Sequence, residues 1–429
     1  MTPQLLNNKF LSLCQDLPQQ TEQLAVDLNV FLRQRVLRSP LELLRAVLLY
    51  SICDLTLRQI AGLFAGSRRK ITDEGIRARL NLTRPWIEEI VKILLCQNLC
   101  LPHCASRRII ICDGSTVSAP GSRKSDYRFH FSFDALLQQA CQLQVTSYRF
   151  GESLARFEFA AGDLVLADRS FAKAPQLLSV LNQKAAFVVR CTPQYLKLLT
   201  AQGQPFDLIA ALRASCEARP ISFAVKVCDA KTNQTFNAYL HARRLTDEQI
   251  NRARRKAKRK SKCAGKTIKE ETLFLCEWIL VLTSVEPEVM SSEVILELYR
   301  VGWQIELLIK RYKSLMGAAK LRARKEGALA EVWLWGKLLY AVLVEKLAVK
   351  RCGNQWAQMK EGRRATWWRI WQMLRDEVKE LIMDTTQWAG MDWQAVLRAL
   401  SERGRKRKLQ FLPQESLNWL QADPPAQLT

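Results

Sequence analysis

Apolar positions along this chain change their spacing twice, from helical to strand-like near residue 105 and back to helical near residue 289. Up to about residue 104 the pattern is helical. Leu41 to Leu57 is apolar at helical spacing, broken by Arg45. Leu55 to Ala61 then reads as the opening of a helix-turn-helix, with a turn around Gly66-Ser67 and Thr72 or Asp73 as the cap of the second helix. From about 105, Arg108 to Asp113 is a continuous apolar run ending on an acid, the pattern of a buried central strand. Asp126 to Asp134 alternates, with Tyr127, Phe129, Phe131 and Phe133 on one face, and Cys141 to Tyr148 alternates again. Gly162 to Asp168 is a second apolar run ending on an acid; a helix over about Ala172 to Gln183 and a third buried strand, Ala185 to Arg190, follow. Between about 191 and 288 lies an insertion with strand-like segments at Pro220–Cys228, Thr235–Ala242 and Leu273–Thr283.

A helix is predicted from about Ser291 to Met316, with Ser291 or Ser292 as cap and Gly317 as its end. An apolar helix with Trp333, Trp335 and Tyr340 spans 328–350, and 354–429 reads as helical and then basic (Arg403, Arg405, Lys406, Arg407, Lys408). Five regions result: a helical region 1–104, the first part of a core 105–190, a β-rich basic insertion 191–288, the second part of the core 289–350, and a helical basic region 351–429.

The order strand, hairpin partners, strand, helix, strand predicts an α/β fold with a ribonuclease H-like (retroviral-integrase-like) core. Its first and fourth strands would lie side by side, so that Asp113 and Asp168 emerge at one sheet edge. Two carboxylates so close repel unless a divalent cation lies between them. On the helix over 291–316, Tyr299, Glu306, Lys310 and Lys313 fall within an arc of roughly 60° at helical spacing. A carboxylate flanked by a phenol and two ammonium groups suits a metal held against a phosphate backbone; the alternative is a solvated charged face.

Charge sharpens this. The 429 residues carry 65 Lys+Arg against 41 Asp+Glu, a net charge of +24, which points to a polyanion and first to nucleic acid. The segment Arg252 to Lys262 is the densest, and Arg254, Arg255, Lys256 and Lys258 are its candidate phosphate contacts. Arg68, Arg69, Lys70, Arg77 and Arg79 make the helix-turn-helix region basic as well. No apolar run is long enough to span a bilayer and the start has no secretory pattern, so a cytoplasmic, nucleoid-associated protein is expected. The thirteen cysteines are scattered, as reduced thiols would be; Cys96, Cys100, His103 and Cys104 form a cluster read either as helix-terminal thiols or as a zinc site.

Taken in order, Asp113-Gly114-Ser115-Thr116-Val117, the run Gly162 to Arg169, the basic insertion, and Tyr299-Arg300 followed by Trp303-Gln304-Ile305-Glu306 resemble the DDE transposases of bacterial insertion sequences of the insertion-sequence-four type. Those carry a Tyr-x2-Arg-x3-Glu-x6-Lys signature. The resemblance runs from about Leu44 to about Leu347. It implies Asp113, Asp168 and Glu306 as the metal-binding catalytic triad, Tyr299 and Lys313 as phosphate contacts, and Lys310 and Trp303 as further DNA contacts. It implies Mg²⁺, with Mn²⁺ as substitute. It further implies excision at terminal inverted repeats through hairpinned ends, strand transfer into target DNA, and a homodimer in the DNA complex. In a two-ion arrangement Asp113 would bridge and Asp168 and Glu306 would each hold one ion. The signature arginine falls at Gly302, which leaves a catalytically impaired DNA-binding relative, or a nuclease without strand transfer, as alternative readings. A second departure is Ser170-Phe171, where the family tends to Gly-Tyr.

Overall fold

The computed structural model describes residues 6–32, 34, 36–67, 69–99, 107–192, 195–215, 219–319, 321–322, 327–352 and 367–400. Among them, nine strands form a single sheet: β1 (Ile109–Val117), β2 (Tyr127–Asp134), β3 (Gln139–Ser147), β4 (Leu164–Ala167), β5 (Ala186–Arg190), β6 (Lys197–Leu199), β7 (Ile221–Cys228), β8 (Thr235–Arg244) and β9 (Trp278–Thr283). The order across it is β3-β2-β1-β4-β5-β9-β8-β7-β6. The three continuous apolar runs are the parallel strands β1, β4 and β5, and every other pairing is antiparallel. Their continuity has a physical cause, since strands covered on both faces need no polar side. The insertion does not form a separate sheet: β9 pairs with β5 and carries the same sheet outward through β8, β7 and β6.

Helices cover both faces. Before the sheet come α1 (Asn8–Cys14), α2 (Thr21–Asp27), α3 (Pro40–Ser51), α4 (Leu57–Gly66), α5 (Asp73–Leu80) and α6 (Arg84–Leu99). Then follow α7 (Ala174–Leu181), α8 (Leu208–Arg213), α9 (Asp247–Cys263), α10 (Glu270–Leu275), α11 (Ser292–Val301), α12 (Trp303–Lys310), α13 (Ala328–Cys352), α14 (Trp367–Met383) and α15 (Trp393–Leu400). One hydrophobic cluster joins the N-terminal helices, α13 and α14 to the sheet face bearing Ile111, Phe131, Leu166 and Val188. A second joins Ile110, Cys112, Val165 and Val189, on the opposite face, to α7 and the insertion strands. Residues alternate between clusters along β1 and β4, as the two-residue period of a strand requires.

Three boundaries differ from expectation. The helical run over 41–57 stops at Ser51, because Asp54 takes a left-handed conformation (φ 55°) and Thr56 opens a new helix by a capping box with Gln59. Leu273 to Leu275 belongs to the short helix α10, and strand β9 begins only at Trp278. The helix expected over 291–316 is three segments: α11, then α12 after a break at Gly302, then a π-type turn, Arg311–Leu315. Gly317 ends it at φ 75°. The expected basic run 403–408 lies outside the described residues.

Candidate active site

Register places the two aspartates. Cys112 of β1 pairs with Ala167 of β4 in parallel, so Asp113, midway along β1, and Asp168, the residue after β4 ends, come next in that register. Asp113 accepts the Gly114 N–H at 2.7 Å, and Asp168 accepts the Ser170 N–H at 2.7 Å. Opposite them, α11 and α12 meet at Gly302, whose N–H donates to the Tyr299 carbonyl at 3.1 Å, one residue closer than a regular helix allows. Between these elements opens a cleft of about 900 Å³, lined among others by Asp113, Asp168, Tyr299, Arg300, Trp303 and Glu306.

The cleft is acidic at its floor. Burial pushes the Asp113 carboxyl up to about 7; the Gly114 N–H opposes this, and the charges of Asp168, Glu152 and Glu306 add to it. Glu306 is exposed on α12 and Asp168 is exposed at the strand end. Around the acids stand cations and a phenol. Burial raises the Tyr299 hydroxyl above its ordinary range, against the pull of the neighbouring Arg190, which also hydrogen-bonds it. Lys310 lies over the exposed Trp303 ring, 5.1 Å from its centre.

Other expected site residues are engaged in contacts within the fold or face solvent. Lys313 falls in the π-type turn, and its ammonium donates to Ser115 Oγ at 3.1 Å and to the Thr116 carbonyl at 2.7 Å. Burial lowers its pKa. It therefore ties this turn to β1 two to three residues beyond Asp113. On α9, Arg254 turns inward and meets Glu277 at 2.5 Å, beside Arg244, while Arg255, Lys256 and Lys258 face solvent. Arg69, in the helix-turn-helix region, is held by Glu42 at 2.8 Å and by the Val36 carbonyl, so it is occupied within the fold. Cys96 is exposed on α6, and residues 100–104 with the rest of that cluster lie outside the described residues.

Three further residues beside those that line the cleft, Glu152, Arg190 and Ser170, carry little signal in the sequence. Glu152 and Ser170 sit in loops without periodicity, and Arg190 is the last residue of a strand; only the family departure at Ser170 marks any of them. Among the described residues, no three His, Cys, Asp or Glu side chains are gathered tightly enough, as placed, to enclose a metal ion, and no helix is long and apolar enough to cross a membrane.

Residues 105–342, which hold the whole cleft, match the family described as Transposase DDE domain. The chain is 29% identical over 336 residues to InsL of insertion sequence element IS186A from Escherichia coli K12, covering 77% of this chain and 90% of that one. It is 29% identical over 337 residues to the transposase for insertion sequence element IS421 from Escherichia coli, covering 77% and 91%. A shorter match, 30% over 107 residues, joins it to the transposase for IS231F from Bacillus thuringiensis subsp. israelensis, covering 25% and 22%. With a paired-aspartate strand edge facing a glutamate helix, and with likeness that spans nearly the full length of two such enzymes, the chain belongs to the DDE transposases of bacterial insertion sequences, enzymes that act on DNA.

Proposed function

We propose that the cleft cuts and rejoins DNA at the ends of an insertion sequence, with Asp113, Asp168 and Glu306 as its catalytic carboxylates on a ribonuclease H-like core. The observation that carries this is the β1–β4 register, which sets Asp113 and Asp168 side by side under the Glu306 helix. The donor set fits a hard divalent cation, Mg²⁺ or Mn²⁺: it is all carboxylate oxygen, and burial together with mutual repulsion holds Asp113 high, a strain that a cation relieves. Glu306, exposed and the weakest of the three charges acting on Asp113, would supply the third carboxylate to the cation. When bound, such ions polarise the scissile phosphate and activate the attacking hydroxyl.

The chain's own groups do the rest. Asp113 and Asp168 would hold the cation; Tyr299, held by Arg190, presents its phenol to a phosphate oxygen. Trp303 offers an exposed ring for an unpaired base, with Lys310 beside it for the adjoining phosphate. Lys313 contributes by keeping the helix on β1, and its positive charge adds to the field at the cleft. Arg255, Lys256 and Lys258 form the outer cationic face of the insertion and bind DNA backbone. Excision and strand transfer at the inverted repeats bring two ends together, so the working complex is a homodimer on DNA.

Gly302 motivates the alternative of an impaired, DNA-binding relative. Arg190 and Arg300 argue against it, because both place a guanidinium at or beside the cleft where the signature arginine is missing. A cleavage assay separates the two. The protein meets a labelled duplex carrying the inverted repeats that flank its gene, in Mg²⁺, Mn²⁺ or EDTA. Cutting at the repeat boundary, abolished by EDTA, by Asp113→Ala and by Glu306→Gln while DNA binding persists, is the expected outcome. Cutting by Glu306→Gln sinks the site assignment, and specific binding without cutting in either metal favours the impaired reading.

A further inference from the structure

Glu152 stands in the loop between β3 and a 3-10 turn at Leu154–Arg156. The loop is pinned to α7: Gln176 accepts the Leu154 N–H at 3.3 Å and donates to the Glu152 carbonyl at 3.2 Å. The carboxylate itself is only 21% exposed and has three neighbours. Arg128 of β2 meets Oε1 at 2.9 Å. The Ser170 hydroxyl donates to Oε2 at 2.6 Å. Gly114 lies so close that a Cβ there would fall 2.6 Å from Oε1 and 2.7 Å from Cγ, so any side chain at 114 would displace the Glu152 carboxylate from this position.

Two of these neighbours belong to the segments that carry the aspartates. Gly114 follows Asp113 directly and gives it an N–H. Ser170 serves two carboxylates at once, its N–H on Asp168 and its O–H on Glu152. Glu152 thus rests against β1 beside Asp113 on one side and is bonded to the Asp168 loop on the other. Arg128 pairs with one of its oxygens and Ser170 with the other, so the carboxylate is held in place between the two loops and β2, the position of a supporting group.

We infer that Glu152 is a positioning residue of this active site, clamping the Asp113–Gly114 segment of β1 to the Asp168–Ser170 loop through Ser170 and Arg128. The inference rests on the proposed reading of Asp113 and Asp168. Groups of this kind fix the direction of a ligand's lone pairs, and their loss typically costs 10–100-fold in metal affinity or activity.

The test uses full-length protein in four forms, Ser170→Ala, Glu152→Gln, Glu152→Ala and the Ser170→Ala/Glu152→Ala pair, beside wild type and Asp113→Ala. Cleavage of the labelled duplex, DNA affinity, thermal unfolding and Mn²⁺ binding by electron paramagnetic resonance are measured for each. Ser170→Ala and Glu152→Ala are expected to bind DNA and melt like wild type but to lose roughly tenfold or more in cleavage rate and in Mn²⁺ affinity. Glu152→Gln keeps an acceptor for the Ser170 hydroxyl and recovers part of the loss. The double variant is no worse than Glu152→Ala, because both changes break the same hydrogen bond. Wild-type cleavage and Mn²⁺ affinity in Ser170→Ala and Glu152→Gln overturn the inference. So does a defect confined to Glu152→Ala and matched by a fall in its melting temperature. If Asp113→Ala still cuts, the site reading itself fails; if it is inert while the Glu152 and Ser170 variants behave as wild type, only the positioning role fails. Mn²⁺ binding decides the matter even for a protein that does not cut.

Discussion

Asp113 is where the chemistry of the site can be read in a single titration. Its carboxyl is raised from an ordinary 3.8 to about 7, by burial first and then by its acidic neighbours. The folded protein therefore holds this proton more tightly than the unfolded chain does. Below 3.8 both states are protonated and the group costs nothing; as pH climbs from about 4 to about 7, ionisation in the unfolded chain draws the equilibrium away from the fold. The metal-free protein thus carries a destabilisation at pH 8, of a few kcal/mol at most, that is absent in acid. Asp113→Asn removes the ionisation. In EDTA the variant is expected to melt above wild type at pH 8, with the gap shrinking toward pH 5. Added Mn²⁺ is expected to raise the wild type and leave the variant unmoved. A gap that is constant with pH, measured by differential scanning fluorimetry, would remove the electrostatic basis for a cation at this position.

At the scale of elements, α9 separates supporting charge from binding charge. Ile250 is buried, and Arg254 on the same side reaches Glu277; Arg255, Lys256 and Lys258 point away. Replacing those three by Ala is expected to weaken DNA binding and flatten its salt dependence, by about 0.9 in log–log slope for each phosphate that is no longer neutralised. Arg254→Ala is expected to lower the melting temperature and leave the slope alone. An unchanged slope in the triple variant would make α9 a bystander. That division was illegible in sequence, since a run of eight cations among Arg252 to Lys262 has too few apolar residues to mark an inner face. The parallel strands were legible for the opposite reason: continuous apolar runs ending on Asp113 and Asp168 carry both burial and position in their composition. The helix over 291–316 lies between these cases. Its period is correct within α12, but the tight turn at Gly302 and the π-type turn at Arg311–Leu315 shift the phase, so Lys313 arrives at β1. The departure at 302, read as a lost side chain, is structurally a joint: a Cβ there would stand 3.0 Å from the Tyr299 carbonyl oxygen.

For the whole molecule, the regions that follow one another along the chain share cores. The cluster that buries Ile111 and Leu166 of the sheet also buries Phe10, Leu44 and Trp86 of the N-terminal helices, with α13 running through it. Local periodicity marks where elements begin; it does not reveal which apolar faces meet. One of these meetings is between α3 and α13, at Gly336. A Cβ on Gly336 would fall 2.2 Å from Ser51 Oγ and 2.6 Å from Ser51 Cβ. The hydroxyl can rotate, although it would forfeit its bond to the Val47 carbonyl, but the Ser51 Cβ cannot move without its helix. Gly336→Ala must therefore push α3 from α13, overpacking that costs about 1–3 kcal/mol and outweighs the roughly 1 kcal/mol that Ala gains in helix propensity. Because α3, α13 and the sheet lie in one cluster, the cost is expected to be felt across it. The urea midpoint should fall, and hydrogen exchange should quicken in β4 as well as in α3. Faster exchange confined to α3 would show the N-terminal helices to be an independently stable unit, and an unchanged midpoint would show that α3 and α13 can part at no cost.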